Sequence, residues 1–239
     1  MNVSLSLLLL LLAVLHHQTV DSFTTATNSV GRGVKRTTTA RWNTLPTVQE
    51  VSQDDFMKQL GHTARILPLL HPTNGTVVSQ EELNALRRVL EEQFKHSEGI
   101  RGFFAVYLTS SESLLVEEND DDDNVPRVLR EAIVAADPKI MVPLACMNVV
   151  MPTAMTSLHT HPDLKECAAK TANNGKKILR LLRGNRLMMD NCRAIARVCD
   201  GTAGVEEEEL IKYWDSFFCN YKYGPMEKEA IALAMAEFC

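Results

Sequence analysis

Residues 140–158, which read IMVPLACMNVVMPTAMTSL, decide the fold of this chain. They include no charged side chain, and a helix of this length would be about 28 Å long, enough to cross a membrane. Pro143 and Pro152 would kink a helix without neighbours. Four polar side chains dilute the apolar character: Asn148, Thr153, Thr156 and Ser157. The stretch therefore predicts a helix buried on all sides at the centre of a bundle, rather than a membrane span.

The segments on both sides carry helix start signals. Ser79 and Glu82 have the spacing of a capping box, which predicts a helix over residues 80–96. Asn185 is a suitable cap for another helix, and three prolines stand at expected first helical positions: Pro126, Pro138 and Pro162. Gly224 and Pro225 predict a break before the last helix. No segment alternates polar and apolar residues as a half-buried strand does. We expect a single-domain, all-α bundle of about eight helices over residues 48–239.

Other segments give local expectations. Residues 54–70 predict a helix broken at Pro68, and the apolar residues 100–109 favour a helix over a strand. The acidic residues 117–124 predict a loop. Asn173, Asn174 and Gly175 predict a break between a helix over residues 162–172 and another over residues 176–183.

The N-terminus has the composition of a two-part targeting sequence. An apolar core at residues 5–15 predicts a signal peptide over residues 1–22. Residues 23–47 contain no Asp or Glu and are rich in Thr, Ser, Lys and Arg, which predicts a disordered, transit-peptide-like segment. With Phe23 at the junction, the whole resembles the presequences of algae with secondary plastids, such as diatoms, although Asp21 stands where a small residue is typical. The resemblance implies a plastid protein, most simply of the stroma; the alternative is a secreted protein.

Six cysteines are widely spaced along the chain: Cys146, Cys167, Cys192, Cys199, Cys219 and Cys239. In a small secreted domain an even number would favour disulfides, but this chain is long enough to form a core without them. In a reducing stroma we expect mostly free thiols.

Methionine and histidine form a row in the central segment. Met147, Met151, Met155 and His159 follow one another at four-residue steps, with His161 two residues further on. On a helix this row would offer soft ligands that suit cuprous ion. Methionine is also a common filler of irregular gaps in cores, and core packing is the favoured interpretation.

Catalytic signatures are absent from the sequence. It has no phosphate-binding glycine loop, no Gly-x-Ser-x-Gly and no His-Glu-x-x-His. An enzyme with an unrecognised pocket near Cys146, His159 and His161 is the alternative, since a Cys and a His can act as nucleophile and base. We assign no catalytic, cofactor-binding or metal-binding residue.

Charge is unevenly distributed near the C-terminus. Residues 163–199 carry nine basic and three acidic side chains, and residues 200–239 carry three basic and nine acidic ones. Lys176, Arg180 and Arg183 would share one helical face, which could contact an acidic partner or the anionic surface of a membrane. Alternatively, the two segments neutralise each other. Nucleic-acid binding is disfavoured because no aromatic RNA-binding motif accompanies the basic residues.

The remainder of the chain has a second resemblance. It is carried by residues 97–104 (SEGIRGFF), 144–148 (LACMN) and 151–155 (MPTAM), and by the aromatic pairs Tyr213-Trp214 and Phe217-Phe218. These resemble an uncharacterised helical protein of plastids and cyanobacteria, which implies location and fold but no mechanism. The sequence predicts a non-enzymatic plastid accessory protein that binds another protein, in the assembly or maintenance of photosynthetic complexes.

Overall fold

A computed structural model describes residues 45–72, 77–110, 125–202 and 208–239. The elements in these ranges are α1 (Val48–Gln53), α2 (Phe56–Leu70), α3 (Gln80–Gln93), α4 (Ser97–Tyr107), α5 (Arg127–Ala135), α6 (Pro138–Leu158), α7 (Pro162–Leu181), α8 (Arg186–Asp200), α9 (Glu208–Tyr221), α10 (Pro225–Met235) and a 3-10 turn at Ala236–Phe238. Within these ranges there are ten α-helices and no strand. The prediction of an all-α fold is confirmed. The expected targeting segments, up to residue 44, and the acidic stretch 117–124 lie outside the described residues.

The central helix α6 organises the bundle. It packs against four other helices, α7, α10, α8 and α4. No residue between 140 and 157 is fully exposed. The described residues include one helix long and apolar enough to cross a membrane, and it is α6, with half of its most apolar window buried in the protein. The prediction of a central helix is confirmed, and both Pro143 and Pro152 lie inside it. The prediction that it is buried on all sides is wrong, because several of its residues remain partly exposed.

A second group of helices packs beside this centre within the same compact unit, Thr44–Cys239. In it α2 packs against α4, α3 against α5, and α1 against α3. Phe94 and Phe103 join α3 to α4 with their rings edge to face, 5.0 Å between centroids. Such pairs add to the free energy gained from burial alone.

Most predicted helix ends are confirmed. Ser79 and Glu82 form the capping box: the Ser79 Oγ accepts from the Glu82 amide, and the Ser79 amide donates to Glu82 Oε2 at 2.8 Å. Asp137 caps α6 with Pro138 at its first position, and Asn185 caps α8. Gly201 ends α8 with φ of 69°, in the left-handed region that glycine tolerates best.

Four boundaries differ from those the sequence predicts. Helix α3 ends at Gln93 rather than residue 96, and Pro126 is the N-cap of α5 rather than its first residue. Helix α2 continues through Pro68 to Leu70, so the loss of one helical hydrogen bond at the proline does not end the helix. Helix α1, which the sequence did not predict, has only six residues, and its cap, Thr47, precedes the expected start of the domain at residue 48.

The predicted break at residues 173–175 is wrong, because α7 is one continuous helix. The buried Asn174 side chain donates to the Leu108 carbonyl at 2.9 Å, at the end of α4. Gly175 lies against α6, where a Cβ would stand 2.4 Å from the Asn148 carbonyl oxygen. The same Asn148 carbonyl oxygen receives no helical hydrogen bond, because Pro152, four residues further on, has no amide hydrogen. The Asn-Gly pair therefore serves contacts between helices.

Candidate functional surface

One side of α6 is not completely covered by its neighbours. The buried residues of the helix occupy one broad side: Met141, Val142, Ala145, Cys146, Val149, Val150, Thr153, Ala154 and Met155. On the opposite side, four large apolar residues are partly exposed and Leu158 is 47% exposed. We call this set the apolar stripe: Ile140, Leu144, Met147, Met151 and Leu158. Their spacings place them on one helical face without a charged residue. Ala154 and Met155 are buried on the turn between Met151 and Leu158, so the continuous part of the stripe runs from Ile140 to Met151, about 17 Å at 1.5 Å per residue.

The predicted row of methionine and histidine side chains does not form one continuous surface. Met147 and Met151 belong to the apolar stripe, whereas Met155 is buried. His159 lies past the end of α6 as its C-cap, with its backbone amide donating to the Met155 carbonyl at 2.9 Å. The four side chains therefore differ in environment. No group of three or more His, Cys, Asp or Glu side chains that could hold a metal ion occurs in the described residues.

Cys146 does not meet the two histidines with which the sequence associates it. It is fully buried beside Cys192 of α8. His159 is thirteen residues further along, about 20 Å at the helical rise. His161 is exposed, with its Nδ1 3.7 Å from Asp163 Oδ2. The structure therefore does not bring these residues together as a nucleophile and a base.

The local environment also makes the Cys146 thiol unreactive. The hydrogen bond with Cys192 and the burial of the side chain raise the pKa of Cys146 well above its ordinary value. On the other side of the pair, Cys192 Sγ lies 3.4 Å from Met188 Sδ. A buried thiol with a raised pKa stays protonated near neutral pH and is a poor nucleophile. The six cysteines are all free thiols in the structure.

Aromatic residues of α9 pack against α8. Trp214 is fully buried, and its Nε1 donates to Asn191 Oδ1 of α8 at 3.0 Å. Next to it, Tyr213 is 42% exposed. Partial burial raises the pKa of the Tyr213 hydroxyl. The sequence contains the aromatic cluster, but only the fold shows which ring stays accessible.

The predicted basic face is partly neutralised from within the chain. Arg180 pairs with Glu237 at 3.1 Å, and the Arg183 guanidinium lies over the Phe238 ring, 6.0 Å from its centroid. Lys176 is half-exposed. These contacts support the alternative in which the acidic C-terminal segment packs against the basic one.

The chain matches the model of a protein family over residues 62–238. That range extends from the second half of α2 to the 3-10 turn and includes all of α6 and the apolar stripe. The fold and surface thus define a helical bundle with an accessible apolar face, and the match defines the family: this chain belongs to the family described as Uncharacterised conserved protein UCP020893. Neither the curated proteins nor the solved structures gave a match.

Proposed function

We propose that this chain is a non-enzymatic accessory protein that binds a partner protein through the apolar stripe of α6. The observation that carries the proposal is a charge-free row of five large apolar side chains left accessible on the most central helix of the bundle. Large accessible apolar faces are a common mark of interaction sites.

The dimensions of the stripe favour a helix as its occupant. The continuous row from Ile140 to Met151, about 17 Å long and one side chain wide, matches an apolar face of about three helical turns. Met147 and Met151 lie in its middle, and their flexible thioether side chains adapt to different apolar shapes. Covering the exposed part of the five side chains would contribute about 3–5 kcal/mol, taking roughly one third of the value for complete burial of each.

The resemblance of the N-terminus to algal presequences supports a plastid location. A role in the assembly or maintenance of photosynthetic complexes would require contact with apolar helices of a subunit, and the stripe has the chemistry for that contact. A fluorescent fusion of residues 1–50 tests the location: fluorescence in the plastid is expected, and fluorescence in the medium contradicts it.

Affinity purification from plastid extract tests the binding role. The tagged wild-type chain is compared with the double variant Met147→Glu/Met151→Glu, and two controls accompany it. Met147→Leu keeps the stripe apolar, and Leu233→Glu introduces a charge at a side chain on α10 that is 80% exposed. We expect one co-purifying partner with the wild type and both controls, and its loss with the double variant.

The outcomes separate the proposal from its alternatives. Equal recovery by the wild type and a folded double variant would contradict it. Recovery of only a second copy of this chain would identify a self-association surface instead. Copper bound in stoichiometric amount and lost in the double variant would favour the metal-binding alternative.

A further inference from the structure

The segment just before the family region is an integral part of the folded domain. Pro46 is buried, and Val51 in α1 is completely inaccessible. Thr47 and Glu50 form a capping box, with the Thr47 amide donating to Glu50 Oε2 at 2.6 Å. An isolated helix of six residues is unstable in water. The order of α1 therefore depends on what it contacts.

A buried polar network holds α1 in place. The Val51 carbonyl accepts two hydrogen bonds, from Gln59 Nε2 and from His96 Nε2, each at 2.7 Å. Because a carbonyl only accepts, Nε2 of His96 carries the proton, and its Nδ1 accepts from the Gly99 amide at 3.1 Å to cap α4.

The network continues into α2 and α3. Gln93 Nε2 donates to Gln59 Oε1 at 3.0 Å and to Thr63 Oγ1 at 3.1 Å. Gln59, Thr63 and Gln93 are all buried. Gln59 Nε2 also donates to the Asp54 carbonyl at 3.1 Å. Removal of the chain through Asp54 would leave Gln59 Nε2 and His96 Nε2 without these acceptors, and a buried polar group without a partner destabilises a fold.

Two ionisable pairs outside the network add further contacts. His62 Nε2 lies 2.8 Å from Asp54 Oδ2, and Arg65 lies 3.6 Å from Glu50. These contacts link Glu50 of α1 and the C-cap residue Asp54 to α2. The match to the family begins only at His62, so α1 lies upstream of the matched region and still completes a network whose other members include Gln93 and His96 inside it.

We infer that proteolytic removal of the targeting segment ends upstream of Leu45, so that the mature protein keeps α1. Hydrolysis of the peptide bond consumes one water and leaves a carboxylate on the released segment and an amine on the mature chain. A cut after Pro46 would remove this buried residue, a cut after Thr47 would also remove the cap of α1, and a cut after Val51 would remove the carbonyl that Gln59 and His96 bind. This boundary is earlier than the composition of residues 23–47 suggests, and it does not depend on the identity of any partner.

The native processed form tests the inference directly. The protein is isolated from the cells that make it, and its first residue is determined by intact mass and N-terminal peptide mapping. A mature chain that begins at Leu45 or before is expected. A folded, predominant species that begins at residue 46 or later would overturn the inference.

Two truncated chains test whether the contacts of α1 stabilise the domain. A chain starting at Leu45 should melt at the same temperature as one starting at residue 23. A chain starting at Asp55 should melt about 10 °C lower, or fail to fold, because it lacks Val51 and its carbonyl. Equal melting temperatures for the Leu45 and Asp55 chains would contradict the reasoning.

Two point variants test the anchoring of α1 without deleting a segment of the chain. Val51→Ala should lower the melting temperature by a few degrees through loss of buried apolar volume. Val48→Ala is the matched control, since Val48 lies in the same helix and is 42% exposed. Equal effects of the two substitutions would show that α1 is not anchored in the core.

Discussion

Gly175→Ala should destabilise the protein although alanine is the better helix former. Alanine gains about 1 kcal/mol over glycine inside a helix. At position 175, however, the new methyl group would stand 2.4 Å from the Asn148 carbonyl oxygen and 3.1 Å from Val149 Cγ2. Ordinary contact needs about 3.5 Å, and the backbone oxygen cannot rotate away, so α6 and α7 must separate by about 1 Å.

The magnitude follows from these two opposed effects. Overpacking of a tight helix contact costs about 3 kcal/mol where backbone must move, and the gain in helix propensity offsets about 1 kcal/mol. The net loss of about 2 kcal/mol corresponds to a melting temperature lower by about 4–8 °C for a domain of this size.

Gly61→Ala is the matched control. Gly61 is also inside a helix, α2, but a Cβ there would meet nothing within 4 Å. This variant should gain about 1 kcal/mol. The assay is urea unfolding followed by circular dichroism at 222 nm, supported by thermal melting. A Gly175→Ala protein as stable as the wild type would refute the close contact between α6 and α7.

Two further predictions concern titratable groups. Thiol labelling of the native protein near pH 7.5 should modify the exposed Cys167, Cys219 and Cys239 rapidly and leave Cys146 and Cys192 unmodified until urea is added; rapid labelling of Cys146 in the folded state would contradict its burial. Lowering the pH should weaken the start of α3, because hydrogen bonds from the Ser79 amide and hydroxyl lower the pKa of Glu82 below its ordinary value of 4.5. A depressed folded-state pKa gives a stabilising contribution that is present above pH 4.5 and is lost as the pH falls through the folded-state pKa. The wild type should therefore lose more stability than Glu82→Gln between pH 5 and pH 3, and parallel curves would contradict the role of this carboxylate.

Local chemistry explains which parts of the fold the sequence predicts. The caps at Ser79, Asp137 and Asn185 depend on hydrogen bonds within three residues, so their patterns are visible in the sequence. The charge-free composition of residues 140–158 likewise predicts a central helix, because burial against neighbouring helices removes most of its apolar surface from water.

The errors arise where distant residues decide the outcome. Asn174 and Gly175 resemble a helix break locally, but their partners, Leu108 and Asn148, lie far away in the sequence. Helix α1 has too few residues for a periodic pattern and depends on Gln59 and His96 for its anchoring.

The apolar stripe could not be located from the sequence for a related reason. Every face of α6 is apolar, so composition does not distinguish the covered side from the accessible one. The positions of the neighbouring helices make this distinction, and they leave Met147 and Met151 partly exposed while Met155 is buried. The sequence pattern predicted helix α6 but not which of its sides is accessible.

Site-specific photo-crosslinking tests the central claim most directly. A photo-crosslinking amino acid is placed at position 147 in the apolar stripe or at position 233 on α10, and each folded variant is irradiated in plastid extract. We predict a discrete protein adduct from position 147, mapped by mass spectrometry to an apolar helix of the partner, and no such adduct from position 233. No adduct from position 147, or adducts only to lipid or to a second copy of this chain, would contradict the account.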